Sequence, residues 1–387
     1  MSLHNRKKTE QSGILRVVCA GVFMLLSFCW LYFFQGDILA VVQHGLSGGK
    51  THYDHAVGAV IITGVAQVLQ LLVNAFIRLS RRSHALTYLP SFLLLAFVSS
   101  VNYPFSWRAW PWAIPLVLIL WGLAIWVAKK VPPFTNDVRN YKTVFSRPLW
   151  LNLLQITAMM FVVIALSNTN AVDHFKAHAE VALGHGDTTE ALRVGEKSHE
   201  TDASLTMLRA FALSKQGELG NRFFEYAVAG SSHDLLPLAG SNSRLQLLAD
   251  TLLWDHFGVR PDSIINFGSQ VLTTAQYIDS LICDTLATTA WQDYVLTGHL
   301  IDRNLDSFVV SLPRYYVTDA DSLPRHYREA LVLYSQRIDT LFIYRDSVME
   351  NAWHNYAQYD SIYPLESERK IRTEVDFPGT YWLYYFK

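Results

Sequence analysis

Hydrophobic positions along the chain fall into two regimes that change over near residue 168. Before it, polar residues are confined to short gaps between long apolar runs. After it, apolar residues recur at three- and four-residue intervals among charged ones. A helix needs about 20 mainly apolar residues to cross a hydrocarbon core of roughly 30 Å. Five runs meet that length, at about 14–34, 55–77, 85–103, 110–128 and 149–167, and predict five membrane-crossing helices. The third is interrupted by Pro90, Asn102 and Pro104. The first follows Arg6, Lys7 and Lys8 as a secretory leader would, but its apolar stretch exceeds a leader core of about 7–15 residues and no small-x-small cleavage site follows it. It reads as an anchor.

Charge gives these spans a direction. Lys and Arg accumulate in the cytoplasmic loops of membrane proteins. One side collects Arg6, Lys7, Lys8 and Arg16, then Arg78, Arg81 and Arg82, then Lys129, Lys130, Arg139, Lys142 and Arg147, whereas the other holds only Lys50 and Arg108. This alternation places the N-terminus in the cytoplasm and the distal half outside it, in the periplasm if the membrane is a bacterial inner membrane. Trp30, Tyr32, Trp107, Trp110 and Trp112 would mark the outer interface, and Trp126 and Trp150 the inner one. Residues 1–167 carry 14 Lys/Arg against 4 Asp/Glu, and residues 168–387 carry 18 against 29, so the distal half is acidic. An acidic surface repels phosphate backbones, which argues against a nucleic-acid partner. The three cysteines, Cys19, Cys29 and Cys283, form neither a disulfide framework nor a closely spaced thiolate set.

Inside the spans, Gln67, Gln70 and Asn74, and again Asn152 and Gln155, make one polar stripe per helix. Such amides join helices by hydrogen bonds, or alternatively line a solute path. No Asp, Glu or His lies deep in a span, which disfavours coupled transport. Titratable groups gather instead between the first two spans, in Gln35-Gly36-Asp37, Gln43-His44 and the stretch from Gly48 to His55. Asp37, His44, Asp54 and His55 are the candidates there for general acid or base chemistry at the membrane surface. Asp37 and Asp54 are similar in position to the carboxylate that integral-membrane glycosyltransferases using lipid-linked sugars carry in their first outer loop, although five spans are fewer than those enzymes have. His52, Asp54 and His55 are zinc-compatible ligand types, but their spacing specifies no site, and neither a metal nor a cofactor is expected. The bland reading of the stretch is a polar interfacial loop with glycine turns.

The distal half is helix-patterned throughout. In HAEVALGHGDTTEALRVGEKSHETDAS, the positions Ala179, Leu183, Gly186, Ala191 and Leu192 resemble the tetratricopeptide hairpin, in which small residues let two antiparallel helices pack closely. In LRAFALSKQGELGNRFFEYAV, Gly217 follows Gly186 by 31 residues and Phe223 follows Leu192 by 31, near the family period of about 34. The usual first-helix aromatic and inter-unit proline are missing. Further helices are predicted at 244–257, 279–290, 324–339 and 341–359. Asp262, Asp279, Asp284, Asp306, Asp321, Asp339, Asp346 and Asp360 each precede Ser or Thr and then an apolar residue, or close variants of that pattern, and some of them read as helix N-caps. They are spread too widely for a calcium loop. His174, His178 and His185 fall to one side of the stripe formed by Phe175, Ala179 and Ala182, where they would line a binding groove. Phe175 stands where a metalloprotease HExxH needs Glu, and no GxSxG, Walker A or GxGxxG sequence occurs. The closing FPGTYWLYYFK is too aromatic to leave in water and reads as a cap over the last helices.

Gln35–Asp37, Gln43–His44 and the Leu323–Tyr334 helix resemble uncharacterised multi-pass inner-membrane proteins of Bacteroidota that carry a C-terminal tetratricopeptide-like domain. Pattern and resemblance together imply an all-α protein: a five-helix transmembrane bundle over residues 1–167, then an extracytoplasmic tetratricopeptide-like domain over 168–387. The resemblance supplies no activity. The leading expectation is a membrane-anchored interaction or scaffold module of the cell envelope, in contact with the bilayer and holding a protein partner. The alternatives are an envelope enzyme acting on a lipid-linked substrate through the first outer loop, and a transporter component.

Overall fold

The computed structural model describes residues 3–77, 79, 81–101, 110–130, 147–264, 272–317, 323–336 and 344–387. It divides into two compact units, Met1–Asn170 and Ala171–Lys387. Among the described residues the regular structure is helical, and the only β pairing is an isolated bridge between Ala239 and Thr273.

In the first unit, α1 (Leu3–Cys29) runs into a π-helical turn at Trp30–Phe34. There follow α2 (Gly36–Ser47), α3 (His55–Ile77), a 3-10 segment at Arg81–Tyr88, α4 (Leu89–Ser99), α5 (Trp110–Lys130) and α6 (Arg147–Leu166). Among the described residues, three stretches are long and apolar enough to cross a membrane: Gly13–Phe34, His55–Ile77 and Arg147–Leu166. The expected span at 85–103 is not one helix. A 3-10 segment meets an α-helix of 11 residues with Pro90 in its first turn, and those 11 residues reach only about 17 Å. The α5 helix has 21 residues with Pro115 inside it. Arg78, Asn102, Pro104, Trp107, Arg108, Arg139 and Lys142 lie outside the described residues, as do Asp321 and Asp339.

Two of the amides in the apolar helices, Gln70 and Asn152, bridge between elements. Gln70 Nε2 donates to Thr87 Oγ1 at 2.9 Å, and Asn152 Oδ1 accepts the Ala85 N–H at 2.6 Å while its Nδ2 donates to Pro148 O at 2.7 Å. Ser91 Oγ donates to Ala66 O, and the side chains Ala59 and Ala66 on α3 are fully buried where neighbouring helices approach. Ile61, Leu72 and Phe76 on α3 and Phe161 on α6 point outward and stay exposed.

The second unit opens with α7 (Ala171–Gly184), α8 (Thr188–Arg193), α9 (Ala203–Gln216) and α10 (Leu219–Arg222). Gly186 and Gly217 both adopt the left-handed conformation that ends a helix cheaply only for glycine, with φ of 80° and 71°. Each thus closes a 14-residue helix, but the partner helices α8 and α10 have only 6 and 4 residues. Asp187 and Asp202 cap α8 and α9 by accepting from Glu190 N and Leu205 N.

Next come α11 (Thr251–Phe257), α12 (Pro261–Ile264), α13 (Thr274–Cys283), α14 (Ala290–Ile301), α15 (Leu305–Ser311) and α16 (Arg325–Ser335). The last four are α17 (Ser347–Ala357), α18 (Tyr359–Ile362), α19 (Glu366–Asp376) and α20 (Tyr381–Tyr385). The helix expected from residue 244 begins only at Thr251, for a tertiary reason. The buried Glu180 carboxylate accepts the backbone N–H groups of Gln246, Leu247 and Leu248, and so holds that stretch out of helical pairing. The 279–290 stretch is split in two, because α13 ends at Cys283 and α14 starts at Ala290. Of the expected aspartate caps, Asp346 accepts from Val348 N and Met349 N at the start of α17, whereas Asp279 lies inside α13, which Thr273 caps. The core is rich in aromatic rings: Phe211, Tyr277, Tyr294, Phe308, Tyr327, Tyr381 and Trp382 are all buried. The closing aromatic segment is part of that core, since Trp382 Nε1 donates to Glu329 O at 2.8 Å.

Candidate functional site

The segment between the first two long apolar helices is itself mostly helix. Asp37 sits in the first turn of α2 and His55 opens α3, which brings His55 Nε2 within 3.5 Å of Asp37 Oδ1. This is an ion-pair separation between two partly buried side chains. Gly36 makes room for it, since a Cβ there would stand 3.0 Å from the His55 ring. Asp37 and His44 are seven residues apart and so share one face of α2. Asp54 has a structural role, accepting the Val57 N–H at 2.8 Å at the start of α3. Burial, helped by the Asp54 charge, pushes the Tyr53 phenol up to about 12. A groove of about 410 Å³ lies between α2 and α3, lined by Leu39, Val42, Leu46, Tyr53 and Ile62 together with Gln43, Ser47 and Thr51. Leu39, Val42, Gln43 and Leu46 occupy the face of α2 opposite Asp37, so the groove and the carboxylate–imidazole pair open on different sides of that helix. Of the four residues proposed for chemistry, the fold brings Asp37 and His55 together, aligns His44 with them, and uses Asp54 elsewhere.

The three histidines of the distal half do not share one helix face. His174 and His178 lie on α7, but His185 falls in the turn beyond its last residue, Gly184. His178 Nε2 is 3.5 Å from Glu190 Oε1 on the following helix. Among the described residues no group of three His, Cys, Asp or Glu side chains is placed to hold a metal ion.

A third place was not legible as a site in the sequence. Helices α17 to α20 enclose a cleft of about 450 Å³, into which Trp353, Tyr356, Tyr359, Arg369, Lys370 and Phe386 project, with Asp360, Glu366, Glu374 and Lys387 also on its walls. Its charges are largely paired across the cleft: Arg369 Nε lies 3.2 Å from Asp360 Oδ1, and Lys387 Nζ lies 3.0 Å from Glu374 Oε1. Lys387 thereby holds the Glu374 carboxyl below its ordinary range. Helix α19 divides its side chains by face. Glu366, Arg369, Lys370 and Thr373 line the cleft, whereas Ile371 and Val375 lie on the opposite side and remain 64% and 66% exposed. The available sequence signal was this two-faced spacing in ESERKIRTEVD, read alongside Trp353 and Tyr356 one turn apart on α17.

Fold and sites define a class: a protein helical throughout its described residues, which include three helices long and apolar enough to cross a bilayer and a second helical unit that carries an open, aromatic-lined cleft. Residues 267–387 match DUF6057, a family of unknown function. The matched segment is roughly the last third of the chain; it contains the cleft and none of the first unit. No curated protein and no solved structure matches the chain.

Proposed function

We propose that this is a membrane-anchored interaction module, in which the first unit sits in the bilayer and the second engages a protein partner. The observation that carries this reading is the apolar surface of the last helices. No residue of α17 or α18 is buried, and Val348, Ile362, Leu365, Ile371 and Val375 stay well exposed in a unit whose other large apolar side chains mostly pack into one core. Soluble surfaces rarely keep such side chains exposed together unless something covers them. Ile371 and Val375, one turn apart and flanked by Glu368 and Arg372, suit the apolar face of a partner helix. The helix–glycine–short-helix units around Gly186 and Gly217 support a tetratricopeptide-like docking role for the start of the same unit, with His174, His178 and His185 at its rim. The distribution of Lys and Arg supports a cytoplasmic N-terminus and a periplasmic second unit in a bacterial inner membrane. The 3-10 segment with α4, and α5, supply the other two crossings of a five-helix bundle.

A photo-reactive residue placed at position 371 of the full-length protein, activated in native membranes, tests this. A partner protein recovered from position 371, absent from position 286, and lost in Val375→Glu is the expected result. Recovery of uncrosslinked protein, or of this chain crosslinked only to itself, overturns it. A reporter fused after Lys387 should be active only outside the cytoplasm.

The second reading, an enzyme acting on a lipid-linked substrate, draws on the approach of Asp37 to His55 with His44 on the same helix face. Such a pair can hold an imidazole in place as a general base. If Asp37→Asn abolishes cellular function at normal protein level while Ile371→Glu is silent, this reading displaces the first.

A further inference from the structure

We propose that the cleft bounded by α17, α19 and α20 is a binding site for a neutral saccharide chain. This goes beyond the docking role above and rests on the other face of α19. Trp353, Tyr356 and Phe386 form a mutually near-parallel trio, with interplanar angles of 24°, 26° and 28° and centroid separations of 5.7, 6.0 and 6.2 Å. Three nearly equal separations exclude a column, in which the outer two rings would lie much farther apart than neighbours. The rings therefore form a slipped, partly overlapping layer. One flank is backed by Trp382, which stands 5.4 Å from Trp353 at 66° and is fixed through its Nε1 hydrogen bond to Glu329 O. All three rings line the cleft, and Phe386 is 57% exposed.

The rim decides which ligand suits this layer. Asp360, Glu366 and Glu374 face Arg369, Lys370 and Lys387, so the side-chain charges lining the cleft balance, and two of the pairs already neutralise one another. A phosphate or nucleotide finds no attractive field there. An acyl chain or apolar helix would strip water from six charged groups without replacing their hydrogen bonds. A sugar ring matches both features. Its C–H face carries the partial positive charge that the negative face of an aromatic ring attracts, and its hydroxyls can both donate to carboxylates and accept from guanidinium and ammonium groups. The volume of about 450 Å³ falls in the range of small-molecule sites and accommodates a short stretch of such a chain. Trp and Tyr have few rotatable bonds, so the layer loses little freedom on binding.

The test uses the full-length protein in a detergent without a sugar headgroup, with chitohexaose, cellohexaose and maltohexaose as probes, followed by saturation-transfer NMR and calorimetry. The expected result is saturable binding of at least one hexaose. Phe386→Ala and Lys370→Ala should each weaken it about tenfold, Phe386→Tyr should stay within about threefold, and Ile371→Ala on the opposite face should leave it unchanged. Absence of binding by all three at about 10 mM overturns the proposal. So does wild-type affinity in both Phe386→Ala and Lys370→Ala. Because Ile371 and Val375 are not in the cleft, a failure here leaves the docking face standing, and the converse holds.

Discussion

The imidazole Nδ1 of His326 lies 2.9 Å from the Glu329 carboxylate Oε2, one turn along α16, with both side chains fully buried. His326 Nε2 accepts the backbone N–H of Phe224 at 3.3 Å, so the proton of the neutral ring sits on Nδ1 and is donated to Glu329. The same carboxylate accepts the Tyr381 N–H at 2.7 Å and Arg325 Nε at 2.9 Å. Glu329→Ala leaves three donors without their acceptor and should cost about 3 kcal/mol of unfolding free energy. Denaturant titration of the full-length protein, followed by near-ultraviolet circular dichroism, measures it. A loss below about 1 kcal/mol would show that these donors find other partners.

The Asp346 carboxylate, nearly buried, ties Arg328 to the start of α17: Arg328 Nε stands 2.6 Å away, and Val348 N and Met349 N donate to the same side chain. Burial alone would raise this carboxyl, but the guanidinium and the two N–H groups outweigh it and hold the group below its ordinary range. A group depressed in the folded state adds stability above its unfolded value and loses it as pH falls through the folded value. The stability gap between wild type and Asp346→Asn should therefore be constant above about pH 5 and shrink below about pH 4. A gap that widens on acidification refutes the assignment.

Glu180 is the acceptor that shapes the stretch before α11, and burial raises its carboxyl although the N–H groups of Leu248, Leu247 and Gln246 pull the other way. In Glu180→Ala, those three amides should exchange with solvent at least about tenfold faster, while amides in α14 are unchanged. Uniform acceleration across the unit would mean global destabilisation instead.

In the first unit, Asn152→Leu removes the acceptor of the Ala85 N–H and should destabilise the bundle by about 1–2 kcal/mol, read from unfolding in mixed micelles. Gln155→Leu should cost less, because the Gln155 Oε1 atom is buried without a hydrogen-bond partner. The reverse order would mean that the Asn152 bonds contribute little.

How much of this was legible depended on whether an element is specified by its own residues. The apolar runs at 55–77 and 149–167 became helices at nearly those limits because length and hydropathy suffice to define them. Pro90 signalled trouble in the third span and indeed stands in the first turn of a short helix. The segment after the first span has the composition of a polar loop with glycine turns, but Gly36–Ser47 is a helix whose apolar positions Ile38 to Val42 are buried. Asp37 and His55 come together only because α2 folds back to α3, which no local pattern announces. The Glu180 contact joins residues more than sixty positions apart, and the cleft joins four helices whose separate sequences look like ordinary amphipathic surface.

Phe224 lies 5.0 Å from both His326 and Tyr381 and 4.8 Å from Tyr384, while Gly220 sits against Pro324 and Tyr327 so closely that a Cβ there would come within 2.8 Å of either. The seam at residue 267, where the family match begins, therefore runs through the middle of one continuous packing arrangement rather than along its edge. A polypeptide cut there would expose the aromatic wall that Phe224 covers and lose the N–H that fixes the His326 tautomer. The stretch that bears the family signature is thus part of a larger cooperative body, and domain grafts or truncations should respect Ala171 as the dividing line, not the start of the match.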